Sequence, residues 1–184
     1  MNSEPSLLPQ DVVLVLKLLS PSGKGWTYAE IGEELGMSAS QAFLSASRAA
    51  TSGLLYFPAL EASPNRANLK EFLIHGVKYA FPVYRGTLTR GIPTSYAASP
   101  LNRLISNSGE PPPVWPYAEG TVRGAELSPL YKTVPKAAQR DPQLYELLAL
   151  IDAIREGRAR EREIAIRELT TRIDSANQSN ANSP

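Results

Sequence analysis

Apolar residues recur every three or four positions along several segments of this 184-residue chain. That spacing places them on one face of a helix, which can then pack against the rest of the fold. The pattern predicts helices near residues 10–19, 28–35, 39–52, 66–78, 142–156 and 158–173. Between them we expect only a small β element, so the predicted fold class is mainly α with some β structure.

The segment 27–55 contains the clearest signals for where helices begin. Thr27 precedes the first predicted helix, and Glu30 lies three residues later, which is the spacing of a capping box. Ser38 and Gln41 repeat that arrangement before the second helix. The start of each helix is therefore predicted from its own residues, before any long-range contact is considered.

Glycines mark where these two helices end. Gly36 and Gly53 can adopt the left-handed backbone conformation that stops a helix. The resulting order of helix, tight turn and second helix is the layout of a helix-turn-helix, in which the second helix lies in the major groove of DNA. The apolar residues 54–57 follow as a predicted short strand.

The three helices from Gln10 onward and the strand after them resemble the winged helix-turn-helix regulators, including the MarR-like group. The resemblance covers roughly residues 10–57, with GMS at 36–38 matching the family's turn and GLL at 53–55 matching its exit into the wing. It implies an N-terminal winged helix-turn-helix that binds double-stranded DNA. It also implies a transcriptional regulator, which we expect to control its own operon.

The resemblance assigns the two faces of the second helix. It implies that four small residues face the core: Ala42, Ser45, Ala46 and Ala49. It implies greater exposure for six others: Ser40, Gln41, Phe43, Leu44, Ser47 and Arg48. The candidate DNA contacts are the polar groups among them and the cap residue: Ser38, Ser40, Gln41, Ser47 and Arg48.

Two large apolar side chains on the same exposed face favour a different partner. Phe43 and Leu44 on an open surface are more typical of a protein contact than of a base-reading surface. The alternative is therefore a non-enzymatic protein-binding module, an antitoxin or an adaptor, that uses the helix-turn-helix to contact a partner protein.

Basic residues are concentrated in the middle of the chain. Residues 61–140 contain ten basic and five acidic side chains, whereas residues 1–60 and 141–184 each have a net charge of −2. Phosphate contacts dominate the affinity of proteins for DNA, so we expect those contacts to come largely from the middle segment. For any single residue, the simpler alternative is solvated surface charge.

Two Arg-Gly pairs lie in this middle segment, within the sequence KYAFPVYRGTLTRGIPTSY. We interpret the stretch as one or two turns that direct Arg85 and Arg90 outward beside tyrosines. Such a loop could act as a wing and place these arginines against phosphates or in the minor groove. The alternative is a surface loop whose glycines serve only turn geometry.

Composition divides the chain into four parts. A winged helix-turn-helix domain with the Arg-Gly loop covers residues 1–98, and a Pro-rich extended connection covers residues 99–140. A C-terminal helical hairpin follows over residues 141–174, and a disordered tail over residues 175–184. Within the connection, we interpret the run ending at Trp115 and Tyr117 as a strap across the domain, with a docking surface as the alternative. Residues 121–123 are predicted to form a brief strand.

The last predicted helix has an apolar stripe at helical spacing. Its members are Ala159, Arg162, Ile166, Leu169 and Ile173. We interpret the stripe as part of the core; the alternative is a dimerisation seam, because a homodimer would match a palindromic DNA site.

A second resemblance extends from about Asn65 to Ile173. The sequences EFLIHGVKYAFP, PPVWPYAEGTVRG and LYELLALIDAIREGRARERE are similar to those of small bacterial helix-turn-helix proteins associated with genes for nucleotidyltransferase-type toxins. This resemblance implies an antitoxin or operon regulator, with a toxin as a further partner. It supplies no functional residues.

The composition also limits the chemistry. The chain has no cysteine, which excludes disulfides and thiol catalysis and makes a cytoplasmic setting the natural one. Neither a signal peptide nor a membrane span is expected. His75 is the only histidine, and we expect a structural role for it. The sequence shows no nucleophile–base pair, phosphate loop or metal cluster. We therefore expect no enzymatic activity, no cofactor and no metal.

Overall fold

The computed structural model describes residues 6–19, 26–56, 62–106 and 109–175. The described α-helices are α1 Pro9–Lys17, α2 Tyr28–Leu35, α3 Ala39–Thr51, α4 Arg66–Glu71, α5 Val77–Ala80, α6 Val134–Arg140, α7 Pro142–Glu156 and α8 Ala159–Ser175. The strands are β1 Leu55–Tyr56, β2 Ser63–Pro64, β3 Arg85–Pro93, β4 Pro113–Pro116 and β5 Val122–Leu127. The predicted fold class, mainly α with a small β element, is confirmed.

Helices α2 and α3 begin and end where the capping signals predict. The Glu30 N–H donates to Thr27 Oγ1 at 3.2 Å, and the Thr27 N–H donates to Glu30 Oε2 at 2.8 Å. The second capping box, between Ser38 and Gln41, is also present. Gly36 has a φ of 69°, a conformation that strains any residue with a Cβ.

Helix α1 lies at the centre of the molecule. Its residues from Asp11 to Leu16 are all fully buried, and the helix contacts α2 and α3 on one side and α7 on another. A helix that is apolar all round is stable only when other elements surround it. The core is continuous as a result, with buried residues extending from Val12 to Ile173.

A short hairpin follows α3 directly. Strands β1 and β2 pair antiparallel, with Leu55 opposite Pro64 and Tyr56 opposite Ser63. The predicted apolar strand over 54–57 is thus present at 55–56, while Phe57 lies outside the described residues.

The next helix, predicted over 66–78, is interrupted in its middle. Helices α4 and α5 are joined by a π-helical segment, Phe72–Gly76, so that the helical backbone extends to Ala80. A Cβ at Gly76 would meet the ring of Phe72, so the absence of a side chain lets the ring lie against the backbone.

The Arg-Gly segment is a strand, and the prediction of one or two turns there is wrong. Strand β3 pairs antiparallel with both β4 and β5, and β4 pairs parallel with β5, so the three strands close on one another. Gly91 permits this closure, because a Cβ there would collide with the backbone carbonyl of Trp115. Its backbone is not in the left-handed region, so this glycine serves close packing and not turn geometry.

The stretch 99–140 is also more regular than the extended connection that was predicted. Besides β4 and β5 it contains a short 3₁₀ helix, Leu101–Arg103, and helix α6. The predicted brief strand at 121–123 is the first part of the longer β5. Long-range contacts account for this, since Thr133, at the start of α6, donates its hydroxyl to the Leu35 carbonyl at the end of α2 at 2.6 Å.

Helices α7 and α8 form the predicted C-terminal hairpin. Of the predicted stripe, Leu169 and Ile173 are fully buried, Arg162 and Ile166 are half-buried, and Ala159 is exposed, so only the later part of the stripe belongs to the core. Helix α8 reaches Ser175, so this residue belongs to the helix and not to the predicted disordered tail; the other tail residues lie outside the described ranges.

Candidate nucleic-acid interface

Helix α3 presents one face to the core and one to the outside. The four residues predicted to face inward are all buried: Ala42, Ser45, Ala46 and Ala49. On the opposite face Ser40, Gln41, Phe43 and Leu44 are exposed, and Ser47 is half-buried. We call this outer surface, residues 40, 41, 43, 44 and 47, the α3 face.

The side chain of Gln41 is partly committed to the helix start. Its Oε1 accepts the backbone N–H of Ser38 at 3.0 Å, and the backbone N–H of Gln41 donates to Ser38 Oγ at 3.2 Å. The side-chain NH₂ of Gln41 makes no hydrogen bond within the described part of the chain. Gln41 therefore offers two donors, held in a fixed position because the capping bond fixes the side chain.

Arg48 does not lie on an exposed face, and that expectation is corrected. Its Nε and Nη2 donate to Asp11 Oδ2 and Oδ1 at 2.9 and 2.7 Å, and Asp11 is fully buried. A buried carboxylate requires such a partner, so the guanidinium is drawn inward against α1. Arg48 fastens α3 to α1, and its donors face Asp11 instead of the solvent.

The apolar part of the α3 face continues onto α2. Phe43 is 46% exposed and Leu44 is 53% exposed. The Phe43 ring meets Tyr28 edge to face, with centroids 5.4 Å apart, and Tyr28 meets Trp26 in the same way at 5.2 Å. These three aromatic rings and Leu44 form a surface of mixed character beside the serines.

The side chains of α2 and α3 carry a net negative charge. Arg48 is the only basic residue between positions 28 and 51, and Glu30, Glu33 and Glu34 are exposed on α2. Hydrogen bonds from Thr27 lower the pKa of Glu30, so it stays ionised. Cations that neutralise phosphates must therefore come from elsewhere in the molecule if this face contacts DNA.

Lys17, at the end of α1, does not supply such a cation. Its Nζ lies 2.5 Å from both Glu34 and Asp141. Burial alone would lower the pKa of Lys17, but its hydrogen bonds to the two carboxylates raise it overall. The lysine joins α1, α2 and the start of α7.

Arg85 is paired, which no local pattern predicted. Its Nε donates to Glu156 Oε2 at 2.7 Å, at the C-terminal end of α7. Burial raises the pKa of Glu156, while Arg85 opposes that shift. Arg85 remains largely exposed but fastens β3 to α7, whereas Arg90 is exposed and makes no side-chain hydrogen bond or ion pair with the described residues.

The residues considered for metal or acid–base chemistry do not come together. His75 is exposed on the π-helical segment. Among the described residues, no group of three or more His, Cys, Asp or Glu side chains is placed to hold a metal ion. None of those residues forms a helix long and apolar enough to cross a membrane.

A buried cluster around Asp152 was missed from the sequence. Asp152 Oδ2 accepts from Thr94 Oγ1 at 2.8 Å and from Trp115 Nε1 at 2.6 Å, and Oδ1 accepts from Arg155 at 2.7 Å. Burial raises the pKa of Asp152, against the opposing effect of Arg155 and the two neutral donors. The sequence contained a signal for this cluster, because an aspartate inside the apolar run LALIDAI must have buried partners.

Comparison with known proteins adds no relative. No family model, no curated protein and no solved structure matches the chain.

Proposed function

We propose that this protein is a non-enzymatic transcriptional regulator of the winged helix-turn-helix, MarR-like kind, which binds double-stranded DNA and controls its own operon. In this account α2 and α3 are the helix-turn-helix, and the β1–β2 hairpin is the wing. The observation on which the proposal rests is the open α3 face, on a helix held at both ends by its own caps.

The order of elements supports this proposal. Three helices and a two-stranded hairpin follow one another in the order that the resemblance implies, and α1 supports the other two from behind. Recognition helices work when a rigid scaffold fixes their distance and angle to the duplex. The Asp11–Arg48 pair and the capping bond of Thr133 to α2 provide that rigidity.

The side chains of the α3 face determine which groups of DNA it can contact. Hydroxyl groups of Ser40 and Ser47 and the NH₂ of Gln41 can bond to base edges or phosphate oxygens. The N–H groups in the first turn of α3 favour a phosphate at that end of the helix. Phe43 and Leu44 suit the methyl group of thymine.

A single substitution tests the role of Gln41 without disturbing the helix. Gln41→Glu keeps the oxygen that caps Ser38 but removes the NH₂ donors. The added negative charge repels any duplex, so we expect the variant to weaken binding to both duplexes, and binding to the protein's own upstream DNA by about 1–3 kcal/mol more than binding to a scrambled duplex at matched salt. Gln41→Ala is the comparison variant, since it loses the cap as well.

The result that would contradict the proposal is equally clear. If the wild-type protein binds upstream and scrambled duplexes equally at two salt concentrations, α3 does not read sequence. An equal loss on both duplexes in Gln41→Glu would mean that the added charge accounts for it and that Gln41 makes no base-specific contact.

The exposed apolar residues support a second candidate function. A partner protein, such as a toxin encoded beside this gene, would bury Phe43, Leu44 and Tyr28 against an apolar surface of its own. Phe43→Ser together with Leu44→Ser should then abolish capture of that partner, whereas the regulator proposal expects the same variant to weaken DNA binding. Loss of DNA binding with unchanged capture of the partner would instead favour the regulator.

A further inference from the structure

Two arginines lie directly opposite each other on neighbouring strands. In the antiparallel register of β3 and β5, Arg90 pairs with Arg123. Residues that are directly opposite point to the same face of a sheet, with Cβ atoms about 4.5–5.5 Å apart. The two guanidinium groups therefore leave the sheet side by side.

Their neighbours show which way they point. Successive side chains on a strand point to opposite faces. Gly91 and Gly124, the next residues after Arg90 and Arg123, would direct a Cβ into the backbone of Trp115 and Pro112, inside the closed sheet. Arg90 and Arg123 point the other way, and both are exposed.

Neither arginine has a partner in the described part of the chain. Each lacks a side-chain hydrogen bond and an ion pair there, in contrast to Arg85 on the same strand, which is bound to Glu156. Like charges placed directly opposite each other destabilise a sheet. The pair therefore destabilises the fold, and no contact with the described residues offsets that effect.

A tyrosine extends the row on the other side of Arg90. Tyr117, the residue after β4, donates its backbone N–H to the Arg90 carbonyl at 3.1 Å and so continues the β3–β4 register. Its side chain belongs to the face that bears the two arginines, where its hydroxyl makes a long hydrogen bond to Glu119 Oε2 at 3.5 Å that a phosphate oxygen would have to replace. Phenol and guanidinium groups are both common donors to phosphate oxygens in DNA complexes.

We infer that the row Tyr117–Arg90–Arg123 is a phosphate-binding surface for the backbone of double-stranded DNA. The inference rests on the proposed function, and it assigns phosphate contacts to cations on the three-stranded sheet. Arg90 acts here with Arg123 and not with Arg85, since Arg85 is bound to Glu156. Contacts of this kind raise the affinity for every duplex and contribute no sequence preference.

The test compares two double variants that remove the same charge. Arg90→Gln with Arg123→Gln removes the row's cations. Arg160→Gln with Arg167→Gln removes two exposed arginines of α8 that also lack a partner among the described residues. Affinity for upstream and scrambled duplexes is measured for each across a series of salt concentrations.

The first variant should bind both duplexes more weakly and flatten the slope of log K against log salt by up to about 1.8, or 0.9 for each phosphate that is no longer neutralised. The α8 variant should change the slope much less. Thermal unfolding should show the first variant to be as stable as the wild type or more so, because a repulsion has been removed.

Three outcomes separate this inference from the proposed function. Equal effects of the two double variants, in a protein that prefers its upstream DNA, would overturn the inference alone. A strong effect of the first variant, in a protein without sequence preference, would support the inference and overturn the proposed function. A wild-type protein that binds no duplex would overturn both.

Discussion

The helix-turn-helix segment and the three-stranded sheet differ in what holds them together. In the segment 27–53, each helix start is fixed by bonds between residues three apart, and each end by a glycine in the left-handed region. In the sheet, the bonds join residues far apart in sequence, such as Thr94 and Trp115 to Asp152. The first region is specified locally, and the second only when the whole chain has folded.

The two regions also differ in how their polar groups are used. On α3 the only arginine is directed inward to Asp11, so the outer face keeps hydroxyl, amide and apolar groups. On the sheet, Arg85 is bound, but Arg90 and Arg123 are directed outward without a partner among the described residues. The α3 face suits contacts that select a base sequence, whereas the surface with Arg90 and Arg123 suits contacts with phosphate charge.

Each region is bound to one fully buried aspartate on a neighbouring helix, Asp11 on α1 or Asp152 on α7, and removing the two should have unequal effects. Asp152→Ala leaves Thr94 and Trp115 without an acceptor and removes the carboxylate that pairs with the buried Arg155, which keeps only the backbone carbonyls of Phe81 and Pro82. We therefore expect a loss of about 3–5 kcal/mol in the free energy of unfolding. Asp11→Ala should cost less, about 2–3 kcal/mol, because Arg48 is partly exposed and can turn to water. Chemical denaturation with urea measures both, and equal losses would contradict the comparison.

Two glycines distinguish local from long-range constraint. Gly91→Ala places a methyl group against the Trp115 carbonyl and should cost about 3 kcal/mol, at the upper end for overpacking. Gly36→Ala strains its own backbone, at about 1–2 kcal/mol, and brings a methyl group to 3.1 Å from the Thr133 side chain, which can shift more easily than a strand backbone. The midpoints of thermal unfolding should follow the same order. A smaller loss for Gly91→Ala would mean that the strands separate more easily than their packing implies.

The junction between the two regions should respond to pH. Burial would raise the pKa of Asp141, but bonds from Lys17 and from the N–H groups of Leu144 and Gln143 lower it overall. A lowered pKa stabilises the fold above the ordinary value of 3.8, and this stabilisation is lost as pH falls through the lower value in the folded protein.

Asp141→Asn isolates this charge because asparagine still caps α7. We expect the variant to be less stable by about 1–2 kcal/mol at pH 7, and the difference to shrink below about pH 3.8. A difference that persists unchanged at about pH 2 would show that the charge of Asp141 is not its cause.

Sequence patterns predicted the helices other than α6, because the signals of those helices are local. The Asp141–Pro142 start of α7, the capping boxes and the apolar stripes act over three or four residues. The strand at 85–93 could not be predicted in this way, since its paired residues have partners about twenty to forty positions away along the chain. Its glycines resembled turn signals, although packing between strands requires them.

The candidate site was predicted in part for the same reason. Helical spacing predicted which side of α3 faces outward, but it could not show that Asp11, on another helix, binds Arg48. The pairing of Arg85 with Glu156 and the register of Arg90 with Arg123 likewise depend on contacts between distant segments. Arg123 had no local signal beyond its place in a predicted brief strand.

The central claim, that the α3 face contacts DNA, can be tested by cleavage from a tethered reagent. The chain has no cysteine, so Ser40→Cys supplies a unique thiol for an iron chelate. Thr171→Cys, exposed on α8, is the matched control. We predict that the Ser40 conjugate cuts the upstream duplex within a few base pairs of defined positions and that the control does not. Equal or absent cutting by the two conjugates would contradict the claim.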